Sequence, residues 1–82
     1  MHELAIAQSV LKTVQAEAQR HPGAFPVKVG VRIGEMSGVN PDALTFGFEV
    51  LTKGSEWERL MLEVEECSGA ELELAYLELE ES

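Results

Sequence analysis

A chain of 82 residues makes one small domain, too short to divide and too short to enclose a deep internal active site, so function belongs at its surface or a terminus. With 45% hydrophobic and 26% charged residues the composition is globular, while the net charge of -9 disfavours phosphate backbones and anionic lipid surfaces as partners. From Met1 to Lys53 the acids and bases cancel, and the whole excess follows Gly54, where ten glutamates face the single Arg59.

The chain opens with apolar residues at Leu4, Ala7, Leu11, Val14 and Ala18, the spacing of one helical face. Pro22 and Gly23 end this first helix near His21, and His21 reads as a residue of the helix end rather than a ligand. Val27, Val29, Val31 and Ile33 then alternate with Lys28, Gly30 and Arg32, which predicts a strand with one face buried, closed by Gly34. Loop residues follow. Asn40 and Pro41 form an N-cap and first-turn pair for a second helix, whose Leu44, Phe48 and Leu51 share a face flanked by Phe46 and Val50 and whose aromatic side is expected in the core. Lys53 and Gly54 end it.

Leu60, Leu62 and Val64 predict a second strand, and ELELAYLELE over residues 71–80 a third. In the third strand Leu72 and Leu74 share one parity while Leu77 and Leu79 share the other, so the phase flips near Ala75 and Tyr76. Either a β-bulge sits there or the strand is covered on both sides. The order helix, strand, helix, strand, strand is that of an α+β fold, a three-stranded mixed sheet with two helices on one face. The short turn from Glu66 to Ala70 favours adjacent, antiparallel second and third strands. The expected core is Leu11, Val14, Val29, Val31, Ile33, Leu44, Phe48, Leu51, Leu62 and Leu74.

Catalysis has little to stand on. One cysteine and two histidines do not assemble a nucleophile, base and orienting group, and Gly30, Gly34 and Gly38 do not open a helix as a phosphate-binding loop requires. Cys67, in an acidic turn, should hold its proton, and a single cysteine supplies neither an internal disulfide nor a structural zinc site. No apolar run exceeds four residues, as at Leu4 to Ala7, which predicts no membrane helix. Without a basic, apolar leader the chain reads as cytoplasmic and not an enzyme. What remains is the opening Met1-His2-Glu3. A free amine, the His2 amide nitrogen and its imidazole can close adjacent chelate rings on one ion, a nitrogen-rich set suited to Ni(II) or Cu(II), and Glu3 adds a carboxylate oxygen or its own amide nitrogen. The alternative reading of these residues is an ordinary helix start. Glu35 or Asn40, from the loop before the second helix, could approach the N-terminus as an oxygen donor, against a plain capping role for Asn40.

MHELAIAQSVL, the stretch VRIGEMSGVNPDALTFGFEVL and the closing GAELELAYLELE together resemble the HypA/HybF family of hydrogenase nickel-incorporation proteins. The resemblance implies that Met1, through its amine, His2 and Glu3 bind nickel for delivery to the large subunit of a [NiFe] hydrogenase, and in some bacteria to urease, with a nickel-maturation GTPase as partner. It also exposes a departure. Family members carry a zinc ribbon with two CxxC pairs between the second and third strands, where this chain has Cys67 alone and a short turn at about residues 66–70. The expectation is therefore one domain over residues 1–82, binding Ni(II) without zinc, monomeric or weakly dimeric. The competing expectation is a zinc-less interaction module that docks on a maturation GTPase or metalloenzyme and carries no nickel.

Overall fold

The computed structural model describes residues 2–81. Helix α1 (Glu3–Gln19) leads into strand β1 (Ala24–Gly34), helix α2 (Pro41–Thr52), strand β2 (Met61–Cys67) and strand β3 (Leu72–Glu81). Gly23, at φ 91°, supplies the left-handed turn between α1 and β1. Asn40 caps α2 by accepting the amides of Asp42 and Ala43 at 2.9 and 3.1 Å, with Pro41 in the first turn, and Gly54 turns the chain away at φ 78°. Two helices and a three-stranded mixed sheet thus follow in the expected order.

The strand order corrects the sequence reading. β1 lies in the centre, parallel to β2 and antiparallel to β3, so β2 and β3 are not neighbours. The reason is electrostatic as well as topological. Both outer strands carry glutamates on the face away from the helices, and pairing them directly would oppose like charges. With β1 between them, Arg32 binds Glu65 of β2 at 3.1 Å and Glu73 of β3 at 2.9 Å, and Lys28 lies 3.7 Å from Glu63.

Residues 68–71 are consequently no hairpin turn. They pass across the end of β1, with Gly69 at φ 100°, and are gripped by backbone bonds. Gly34 N–H donates to Glu71, Glu35 N–H to Cys67 and Met36 N–H to Gly69, at 2.6 to 2.8 Å. A Cβ on Gly34 would lie 2.3 Å from the Gly69 carbonyl oxygen and 2.6 Å from the Glu71 nitrogen. Only glycine fits there.

The phase flip in β3 is a bulge. Gly30 pairs with Tyr76 and Val31 with Leu74, leaving Ala75 as the extra residue. Its effect is to bring Leu72, Leu74, Leu77 and Leu79 opposite Ile33, Val31, Val29 and Pro26 respectively, so the leucines on both sides of the flip serve one face. On the other face the Tyr76 ring occupies the space above Gly30, where an added Cβ would meet ring carbons, and its hydroxyl donates to Glu63. An aromatic side chain laid over a strand glycine restores the packing that glycine lacks.

The core is Ala7, Val10 and Val14 of α1, Val29, Val31 and Ile33 of β1, Leu44 and Phe48 of α2, with Val39 and Leu60. Six of the ten expected core residues are therefore fully buried, and Leu11, Leu51 and Leu62 pack against them half-buried. Leu74 is 36% exposed because α1 does not reach fully over β3. The inward face of α1 is turned toward Val10 rather than Leu4, which is half exposed beside Gly47, where α1 and α2 approach closely. Phe46 is 68% exposed, so only Phe48 places its ring in the core. The buried Thr52 hydroxyl is satisfied by the Phe48 carbonyl at 3.0 Å.

Candidate metal-binding N-terminus

His2 is the N-cap of α1, with backbone angles of φ -87° and ψ 81° and no capping bond from its imidazole. It is exposed. The first helical hydrogen bond runs from Ile6 N–H to the His2 carbonyl at 3.2 Å; the amides of His2 and Glu3 precede it, and a helix has no carbonyl to offer such positions. Main-chain nitrogens at this end are thus not committed to the helix ladder. Met1 lies outside the described residues.

Glu3 is held across the molecule. Its Oε2 accepts the Asn40 N–H at 3.1 Å, which joins the start of α1 to the start of α2. The Asn40 amide, followed by Glu3's own backbone amide, keeps the Glu3 carboxyl below its ordinary value of 4.5. The loop before α2 does approach the N-terminus, but Asn40 contributes its backbone N–H while its side-chain oxygen is used as the cap. Sequence reasoning does not find this contact: a link between residues 37 positions apart leaves no local pattern.

The other candidates stay separate from this junction. His21 lies in the turn after α1, its carbonyl accepting Ala24 N–H at 3.1 Å. Cys67 ends β2, and burial, then Glu71, pushes its thiol pKa up, which disfavours the nucleophilic thiolate. Among the described residues no three His, Cys, Asp or Glu side chains gather to hold a metal ion, so a site at this end has to draw on main-chain nitrogen. No helix among them is long and apolar enough to cross a membrane.

Comparison with known proteins gives consistent matches. Residues 1–77 match the family model described as HypA, hydrogenase/urease nickel incorporation, metallochaperone. A hydrogenase maturation factor HypA from Methanopyrus kandleri is 43% identical over 65 residues, 79% of this chain and 46% of the relative. One from Roseiflexus sp. is 42% identical over 66 residues, 80% of this chain and 54% of the relative. The chain spans about half the length of these relatives. The solution structure of the Ni metallochaperone HypA from Helicobacter pylori superposes with a TM-score of 0.73 at 17% identity, covering 99% of this chain and 97% of that one. A second solution structure of a HypA protein gives 0.78 at 18%, covering 96% of each chain. At these identities the two structures establish a shared fold.

Proposed function

Because the chain belongs to the HypA family of hydrogenase/urease nickel-incorporation metallochaperones, we propose that it carries Ni(II) as cargo on Met1, His2 and Glu3. The observation that supports this most is the junction at Glu3. Its carboxylate is anchored on Asn40, which fixes the start of α1 while the His2 side chain remains exposed and makes no capping bond. In this reading the amine of Met1 and the imidazole of His2 donate to the ion together with main-chain nitrogen, a nitrogen-rich set that suits Ni(II). Two helix N-termini meet here, and their dipoles oppose a cation by roughly 0.3 to 1 kcal/mol each. The Glu3 carboxylate offsets part of that. A site so balanced binds modestly, as a cargo site must.

The recipients in this proposal are nickel enzymes of the cytoplasm, the large subunit of a [NiFe] hydrogenase or urease, with a nickel-maturation GTPase as helper. The chain itself catalyses no reaction. Residues 1–82 act as the nickel-binding domain of the family, and residues 68–71 close the sheet where other members insert a zinc ribbon, so zinc has no part in holding this fold.

The test is calorimetric titration of nickel into untagged protein, into His2→Ala and into protein with one residue added before Met1. One-to-one binding is expected in the first and loss of the tight site in both others, with unchanged circular dichroism. Binding should weaken as pH falls, since nitrogen donors must release protons before they can bind metal. Undiminished nickel binding in either variant overturns the assignment. Absence of binding in the unaltered protein, with retained affinity for a maturation GTPase, would instead favour the zinc-less interaction module.

A further inference from the structure

Helix α1 crosses β1 but leaves the edge strand β3 partly bare. Between them runs an open groove of about 350 Å³, lined by Ile6, Val10 and Thr13 of α1 and by Val31, Leu72 and Leu74 of the sheet. Leu72 and Leu74 are 41% and 36% exposed, although they stand opposite the buried Ile33 and Val31 on the helix-facing side. The Thr13 hydroxyl is spent on the Ser9 carbonyl at 3.0 Å, which leaves its methyl as that residue's contribution to the wall. β3 is the last strand of the sheet, so among the described residues no further strand pairs with its outer edge.

From this edge and groove we infer that β3 receives an extended segment of another protein in which apolar and basic residues alternate. Strand addition satisfies the unpaired backbone row, and residues two apart, roughly 6.6 Å along a strand, project to the same face. Two apolar side chains of the segment then enter the groove beside Leu72 and Leu74. The residue between them falls on the opposite face, in the row that contains Glu73, Glu78 and Glu80.

The occupant's charge follows from what β1 already does. β1 presents Val29, Val31 and Ile33 to the helices and Lys28 and Arg32 to the glutamates, with Arg32 bonded to Glu73 at 2.9 Å. β3 therefore accepts an apolar and basic strand on its inner side, where Arg32 takes Glu73, and on its outer side it offers Glu78 and Glu80 of the same row. A second copy of this chain does not fit as well: β3 against β3 would set glutamates against glutamates. The inference does not rest on metal binding and is tested on metal-free protein.

The measurement is fluorescence anisotropy of a short labelled peptide of alternating Ile and Lys, with a peptide of the same composition arranged in blocks and an Ile and Glu alternation as controls. Backbone amide exchange is followed in parallel. Saturable binding of the first peptide and slowed exchange along β3 are expected. Leu74→Asp should weaken binding about tenfold through loss of one apolar contact, and Glu78→Lys with Glu80→Lys should shift preference toward the acidic peptide. Equal binding of the block peptide, or concentration-dependent dimerisation through β3 in place of peptide binding, overturns the inference. Should Leu74→Asp fail to fold, the exchange footprint on the unaltered protein decides alone: protection elsewhere than β3 overturns it.

Discussion

The two faces of the sheet hold the molecule by different physics. Toward the helices, β1 presents Val29, Val31 and Ile33, each at most 1% exposed, against Phe48, Leu44 and Val14. That face works by area, and its contribution grows with every apolar atom removed from water. Toward solvent, the outward positions of β1 read Lys28, Gly30, Arg32 and Gly34, and each is matched to something particular. Lys28 and Arg32 meet carboxylates, Gly30 admits the Tyr76 ring and Gly34 admits the crossing connection. Exposed ion pairs contribute little stability. Their value is in register: they distinguish a sheet centred on β1 from one in which β2 and β3 pair directly.

If area governs the inner face, Phe48→Ala should have the largest effect, about 3 to 5 kcal/mol of unfolding free energy, read as a fall in the denaturation midpoint. A small loss would mean that the inner face tolerates a cavity and that the contrast between faces is wrong. Gly34→Ala comes next, at the upper end of the roughly 1 to 3 kcal/mol typical of overpacking, because the added methyl meets backbone rather than a movable side chain. Its exchange signature should be opening of residues 67–72 together with 34–36. Gly30→Ala should cost less, roughly 1 to 3 kcal/mol, since the Tyr76 ring can swing aside. Loss of Tyr76 fluorescence or chemical-shift dispersion without global unfolding would sharpen the point.

The smallest expected effect is on titration. The hydrogen bond to Glu63, followed by burial, pushes the Tyr76 phenol up to about 12 from 10. A raised folded pKa favours the neutral phenol, so its stabilisation is complete below pH 10 and fades as pH rises toward 12. Phenolate absorbance of the single tyrosine should show the high midpoint in the folded protein, and Glu63→Gln should return it toward 10. An ordinary midpoint in the unaltered protein would detach Tyr76 from Glu63 and remove one of the outer face's specific contacts.

Much of this architecture is legible in the sequence where the signal is local. The helical spans of α1 and α2, the Asn40 and Pro41 helix start, the alternation of β1 from Val29 to Ile33 and the parity change at Ala75 each lie within a few residues, and the structure follows them. The buried face of α1, by contrast, turns to Val10, and a register shift at Val27 buries Pro26 in its place. Strand adjacency is different. The short turn from Glu66 to Ala70 suggests a hairpin, while the deciding facts are the basic residues of β1 and the acids that bind them, 33 and 41 positions away. The parity of Lys28 and Arg32 against glutamates in both later strands is a signal that could have pointed to a central β1. At the N-terminus the chelating triplet is visible as a motif, but the tie from Glu3 to Asn40 is not, because hydrogen bonding by a backbone amide carries no mark in residue type. The exposed Phe46 shows the limit of helical periodicity, which identifies an apolar residue and cannot tell which flank a neighbouring helix will cover.

The connection over the end of β1 also sets how anything built into it would be carried. Its two ends leave from strands on either side of β1, roughly 9 to 10 Å apart across two strand spacings. An inserted module there stands on two roots rather than swinging from one hinge. Rotation about a single bond cannot reorient it. Backbone bonds from Gly34, Glu35 and Met36 clamp this passage, and the same stretch of chain runs on to Asn40 and its hold on Glu3. The heading of such a module would therefore be measured from the same rigid frame that seats the first turn of α1.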